Sequence, residues 1–220
     1  MKNTALARHI TRRISRVARA AAVAIALTVS SRQGALAADV AAPPVPVNIQ
    51  VPPGNTVFLV GHGVGTQNYI CLRSGAGVAW TLFTPQATLF NHRARQLTTH
   101  FFSPNPSENG TVRATWQHSR DTSIVWAQLA PNGSSSDPSF VAPDSIPWLL
   151  LQKAGTQEGY GGGDTLTVTT YIQRLNTREG RAPSTGCALS TDVGRKAFVP
   201  YEADYFFYTD ADRHGKREDN

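Results

Sequence analysis

Thr165-Leu166-Thr167-Val168-Thr169-Thr170-Tyr171-Ile172-Gln173-Arg174-Leu175 alternates as a strand does. Leu166, Val168, Thr170 and Ile172 fall on one face, and Thr165, Thr167, Thr169 and Gln173 on the other. Successive side chains of a strand point to opposite sides, so this period of two predicts a half-buried strand, and its β-branched residues suit a pleated backbone. Working outward, short runs rich in β-branched and aromatic residues recur at 56–62, 67–72, 78–84, 96–102, 112–118, 123–129, 147–152 and 204–208, punctuated by Gly, Pro, Asn and Asp. Beyond the N-terminal segment no window of helix length carries apolar residues at helical spacing, which removes the support for βαβ architectures. The expected fold class is all-β: a single-domain antiparallel β-sandwich or barrel with long loops.

The N-terminus obeys different rules. Lys2, Arg8, Arg12, Arg13, Arg16 and Arg19 precede an apolar run at 20–29, and Ala35-Leu36-Ala37 supplies a small-x-small cleavage pattern, so residues 1–37 read as a signal peptide. An apolar run of about ten residues is half of the roughly 20 needed to span a bilayer, so the mature chain is expected to have no integral membrane segment and to be secreted or periplasmic. Of the 21 Lys and Arg in the chain seven lie in this segment, with none of the 15 Asp and Glu; that leaves 14 against 15, a formal charge of −1 in place of +6. A nucleic-acid partner is therefore not expected, because it needs a surplus of basic residues on one face. In an oxidising compartment the only two cysteines, Cys71 and Cys187, are expected to form a disulfide. Residues 38–53 are rich in proline and read as an extended lead-in, residues 54–208 as the all-β domain, and residues 209–220 as a disordered charged tail.

Several segments together resemble a family of exported bacterial and fungal proteins, the domain of unknown function 3455. They are Gly65-Thr66-Gln67-Asn68-Tyr69-Ile70-Cys71, Thr99-His100-Phe101-Phe102, Trp148-Leu149-Leu150-Leu151, Ile172-Gln173-Arg174-Leu175-Asn176-Thr177, Ala182-Pro183-Ser184-Thr185-Gly186-Cys187 and the stretch 201–208. The resemblance covers about residues 50–208 and implies an exported single-domain protein; it brings no activity and no catalytic residue. The chain departs from it after His100, where residues 103–114 form a longer connection before Trp116.

The motifs of common enzyme classes are missing. Gly61-His62-Gly63-Val64-Gly65 is not the dinucleotide fingerprint and is followed by no helical pattern, and glycines in a strand more often mark a bulge or a close backbone contact. No phosphate-binding loop and no nucleophile elbow occurs. Chemistry is left to His62, His92, His100 and His118, since imidazole serves as metal ligand or as acid and base near neutral pH. His100 and His118 are the candidate pair for a divalent transition metal, the one cofactor considered, with Asp121 placed to orient an imidazole. A simple hairpin between runs 96–102 and 112–118 puts His100 nearer Val112 than His118, which works against that pair. Asp121, Glu158 and Asp164 are available as carboxylates, but nothing in their spacing sets a separation for glycoside hydrolysis. Trp80, Trp116, Trp126 and Trp148 lie in strand-like runs and are expected in the core, with Tyr69 and Tyr160 less committed. Aromatics facing outward together would suit cell-wall or extracellular polysaccharide. The expected function is a non-catalytic binding or structural module of the envelope or extracellular space. The alternative is a histidine-centred metal-binding or hydrolytic protein around His100 and His118.

Overall fold

Eight antiparallel strands follow one another around a closed barrel in the computed structural model, which describes residues 41–212. They are β1 (Asn55–Ser74), β2 (Gly77–Phe90), β3 (Gln96–Asn105), β4 (Thr111–His118), β5 (Ile124–Ser135), β6 (Trp148–Gln157), β7 (Thr169–Glu179) and β8 (Lys196–Asp210). Each pairs with its neighbour in sequence, and β8 returns to β1. Of the two all-β architectures expected, the barrel is the one formed. The signal peptide expected at residues 1–37 lies outside the described residues, as do residues 213–220 of the expected tail.

Runs 56–62 and 67–72 prove to be one strand, because the glycines between them continue β1 and do not interrupt it. A Cβ on Gly63 would stand 2.8 Å from the Tyr205 ring, and one on Gly65 would overlap the Gln86 carbonyl oxygen. Both positions thus allow β1 to lie close over its neighbours, a use of glycine in strands that a larger side chain prevents.

Alternation sorts the apolar residues into two clusters. Facing inward, Leu89, Trp116, Val125, Leu151, Ile172, Tyr205 and Phe207 fill the barrel. Facing outward, Trp148, Leu150, Leu175, Phe206 and Tyr208 are covered by Ile49 and Val141. The Pro-rich lead-in is therefore more than an approach to the domain. It makes a single 3-10 turn at Val47–Ile49, buries Ile49 completely, and is fastened by Gln173 Nε2 donating to the Ile49 carbonyl at 2.7 Å. Gln173, on the outer face of β7, is held under this strap, and Leu175 is buried in the same outer cluster.

The expected strand at 165–175 is shorter than its alternation suggests. Residues 165–168 form a turn, held by Thr167 N donating to Asp164 O and Thr169 N to Leu166 O, and β7 begins at Thr169. Leu166 still turns inward, fully buried, as a plug under the inner cluster. At the other margin β8 continues through Thr209 and Asp210, two residues past the end expected at 208, with Thr209 paired to both Thr56 and Thr169.

Candidate functional site

The connections β1–β2, β3–β4, β5–β6 and β7–β8 lie at the end of the barrel away from the Leu166 plug, and a cavity of about 410 Å³ opens there. Its wall is apolar, with Leu82, Phe102, Val112, Leu129 and Leu149 contributed by five different strands. Deeper in, Trp116 stacks on His100 with ring centroids 4.1 Å apart and planes 7° from parallel, and Tyr205 meets both rings at an angle. An eight-stranded barrel is just wide enough to be filled by side chains or to leave room for one small ligand, and here the plugged end is filled and the other is not.

Among these apolar groups stands Arg174, brought inward by the same alternation that places Ile172 in the core, and only 9% exposed. One terminal nitrogen donates to the Pro147 carbonyl at 2.8 Å and Tyr205 is a further partner, but Nε is buried without any. Among the described residues no carboxylate lies within ion-pair distance of this guanidinium. Arg113, the other cation at the cavity, is held at the rim by Glu108 at 2.7 and 2.8 Å. Trp116 Nε1, on the same cavity, is also buried with no acceptor, whereas Gln67 stands against the Tyr201 hydroxyl. The unsatisfied groups here are thus all donors.

The ionisable side chains around Arg174 supply no countercharge. Burial pushes the Tyr69, Tyr201 and Tyr205 hydroxyls upward, against the lowering influence of Arg174, so they stay protonated at neutral pH. Tyr201 and Tyr205 share a hydrogen bond of 3.0 Å, and Tyr69 donates to the Gly180 carbonyl at 2.6 Å. Burial also holds the His100 imidazole down at about 3, helped by Arg174 and opposed by the bond to Thr115. His100 Nδ1 is 2.9 Å from the Thr115 carbonyl, so Nδ1 must carry the proton and donate.

The two histidines singled out from the sequence have separate environments. In the β3–β4 hairpin His100 lies opposite Trp116, and His118 opposite Thr98. That corrects the expected register, which put His100 nearer Val112. β3 runs on to Asn105 and pairs Ser103, Pro104 and Asn105 with Arg113, Val112 and Thr111, confining the turn to the residues between and shifting every partner by two. His118 donates from Nδ1 to Asp121 Oδ1 at 2.8 Å, so Asp121 does orient an imidazole, although at the plugged end. Among the described residues no group of three or more His, Cys, Asp or Glu is gathered as for a metal ion. His62 and His92 are exposed, His62 beside Asp204 at 3.0 Å.

Asp121 has a structural task. It accepts from Ser123 N and Oγ and from Thr165 N as well as from His118, tying the β4–β5 turn to the turn that carries Leu166. Burial raises its carboxyl, but these bonds outweigh that and hold it well below the usual carboxylate range. A depressed folded pKa gives stability that is present above the unfolded value near 4 and is lost as pH falls below it. Asp121→Asn is therefore expected to cost about 1–3 kcal/mol at pH 7 and to flatten the loss below pH 4, measured by urea unfolding at several pH values. A variant with unchanged acid sensitivity would remove Asp121 from this role.

The expectation for the tryptophans holds for three of four: Trp116, Trp126 and Trp148 are buried, whereas Trp80 is half-buried and donates to the Thr185 carbonyl at 3.0 Å. Tyr160 is fully exposed, and Glu158 and Asp164 are surface residues. Arg174, Gln67 and Tyr205 were not singled out from the sequence. The available signal was polar Gln173-Arg174 inside a strand otherwise destined for burial.

Residues 52–209 match the family described as Protein of unknown function (DUF3455). No curated protein and no solved structure matches the chain.

Proposed function

We propose that this chain, which belongs to that family, is a non-catalytic binding protein acting outside the cytoplasm, and that it holds one small, largely apolar molecule in the open end of its barrel. The observation that carries this reading is the cavity: about 410 Å³, walled by apolar side chains, with a few buried donors deep inside. That is the make-up of small-molecule sites, which run from about 300 to 1,000 Å³ and use a small number of polar groups to fix orientation. Burial of Trp116, Trp126 and Trp148 favours an enclosed ligand over a polymer laid across a surface platform. Action outside the cytoplasm rests on the signal-like N-terminus and on the disulfide between Cys71 and Cys187. No helix among the described residues is long and apolar enough to cross a membrane.

The test uses the chain from residue 38 onward and the neutral fluorophore N-phenyl-1-naphthylamine. Saturable binding with a stoichiometry of one, competed by 1-decanol, is the expected result. Ala114→Phe, at the cavity wall, should abolish it while the melting temperature stays within a few degrees. Binding that never saturates, or that survives a filled cavity in a folded variant, refutes the reading.

A further inference from the structure

We infer that the ligand is an apolar monocarboxylate whose anionic group is seated on Arg174 and whose body extends toward the rim. This rests on the proposed binding function and adds the chemical class. Three observations meet at one place. A guanidinium 9% exposed has no carboxylate within ion-pair distance among the described residues, and its Nε is buried without a partner. Arginine cannot shed its proton to escape the cost of burial, so the charge persists and calls for an anion. Trp116 Nε1 is a further unpartnered donor on the same cavity, and a carboxylate, with two oxygens and no hydrogen to give, is what such donors satisfy.

Among the described residues no substitute for that anion is at hand. No Asp or Glu lines the cavity, and burial keeps the nearby tyrosines in their neutral form. Arg113 is already neutralised by Glu108, which leaves Arg174 as the uncompensated charge of the site. Leu82, Val112 and Leu129 line the cavity yet remain 38, 58 and 52% exposed, so an apolar body pointing outward would cover side chains that are otherwise in water.

Three probes of equal chain length separate the polar end from the body: decanoate, 1-decanol and decyltrimethylammonium, titrated calorimetrically into the chain from residue 38 at pH 7.5. Decanoate is expected to bind at least tenfold more tightly than 1-decanol, with the ammonium weakest. In Arg174→Met the preference for decanoate over 1-decanol should disappear, while saturable binding of 1-decanol persists and reports an intact cavity. Replacing buried ionic groups by apolar side chains of similar volume is often neutral or stabilising in other proteins. Should this variant fail to fold, the three probes on the parent protein still decide. Equal binding of all three overturns the anionic assignment and leaves the binding function standing. A decanoate preference that persists in folded Arg174→Met overturns the role of Arg174, and binding of none of the three overturns the proposed function itself.

Discussion

Between pH 6.5 and about 3 the protein is expected to lose about 1.4 kcal/mol of stability for each pH unit through one side chain, His100. The sign follows from burial. His100 is 5% exposed, and its folded pKa is lowered to about 3 while the unfolded chain titrates near the ordinary 6.5. Below 6.5 the unfolded chain therefore binds a proton that the folded barrel refuses, and acid favours unfolding until the folded pKa is reached. Stacking on Trp116 keeps the imidazole where water cannot solvate its charged form, and burial outweighs the bond from Nδ1 to Thr115, which by itself favours the proton. His100→Phe keeps an aromatic ring against Trp116 but does not titrate. Its unfolding free energy should be lower than that of the parent at pH 7, because the Thr115 carbonyl loses its donor, yet flatter between pH 6.5 and 4.5 by about one proton. Urea midpoints measured across that range give both slopes. Parallel curves for parent and variant would show that His100 is not a buried neutral imidazole.

Much of this fold was legible in the sequence because a strand declares itself by period, and period survives without knowledge of partners. All eight strands overlap runs recognised as strand-like. The errors fall where the backbone was decided by tertiary packing. Thr165-Leu166-Thr167-Val168 alternates as well as the residues after it, but local bonds from Thr167 and Thr169 turn it, and burial of Leu166 as the plug rewards the turn. Ile49 looked like part of a Pro-rich approach, since nothing in residues 38–53 shows that β7 and β8 present an apolar outer face to be covered. The site was less legible for the same reason. Gln67, His100, Leu149, Arg174 and Tyr205 come from five of the segments by which the chain resembles its family, yet only the closure of the barrel brings them to one cavity. Composition could identify Arg174 as a charge inside a buried strand; it could not show that no carboxylate would come to meet it.

Loss of the disulfide is the other large effect expected. Cys71 and Cys187 are bonded across a sequence separation of 116, so the link encloses most of the domain. In the chain-entropy account such a bond acts on the unfolded state, and for a loop of that length removing it costs toward the top of about 2–5 kcal/mol. For a domain of this size that is roughly 10 °C in melting temperature. The native structure itself should survive, because other contacts already fix the same neighbourhood. Cys71 N donates to the Arg195 carbonyl and Gly194 N to the Cys71 carbonyl, both at 2.9 Å, and Trp80 holds Thr185. Gly180, whose carbonyl receives the Tyr69 hydroxyl at the cavity, is separately bridged to Ser145. The double variant Cys71→Ala, Cys187→Ala is accordingly expected to melt far below the parent while binding 1-decanol within about threefold of it, since stability and site depend on different contacts. Calorimetric melting with and without dithiothreitol gives the first quantity and titration at 20 °C the second. A parent protein whose melting temperature is indifferent to the reductant, with thiols shown to be reduced, would mean that the bond does not restrict the unfolded chain, and would overturn this prediction.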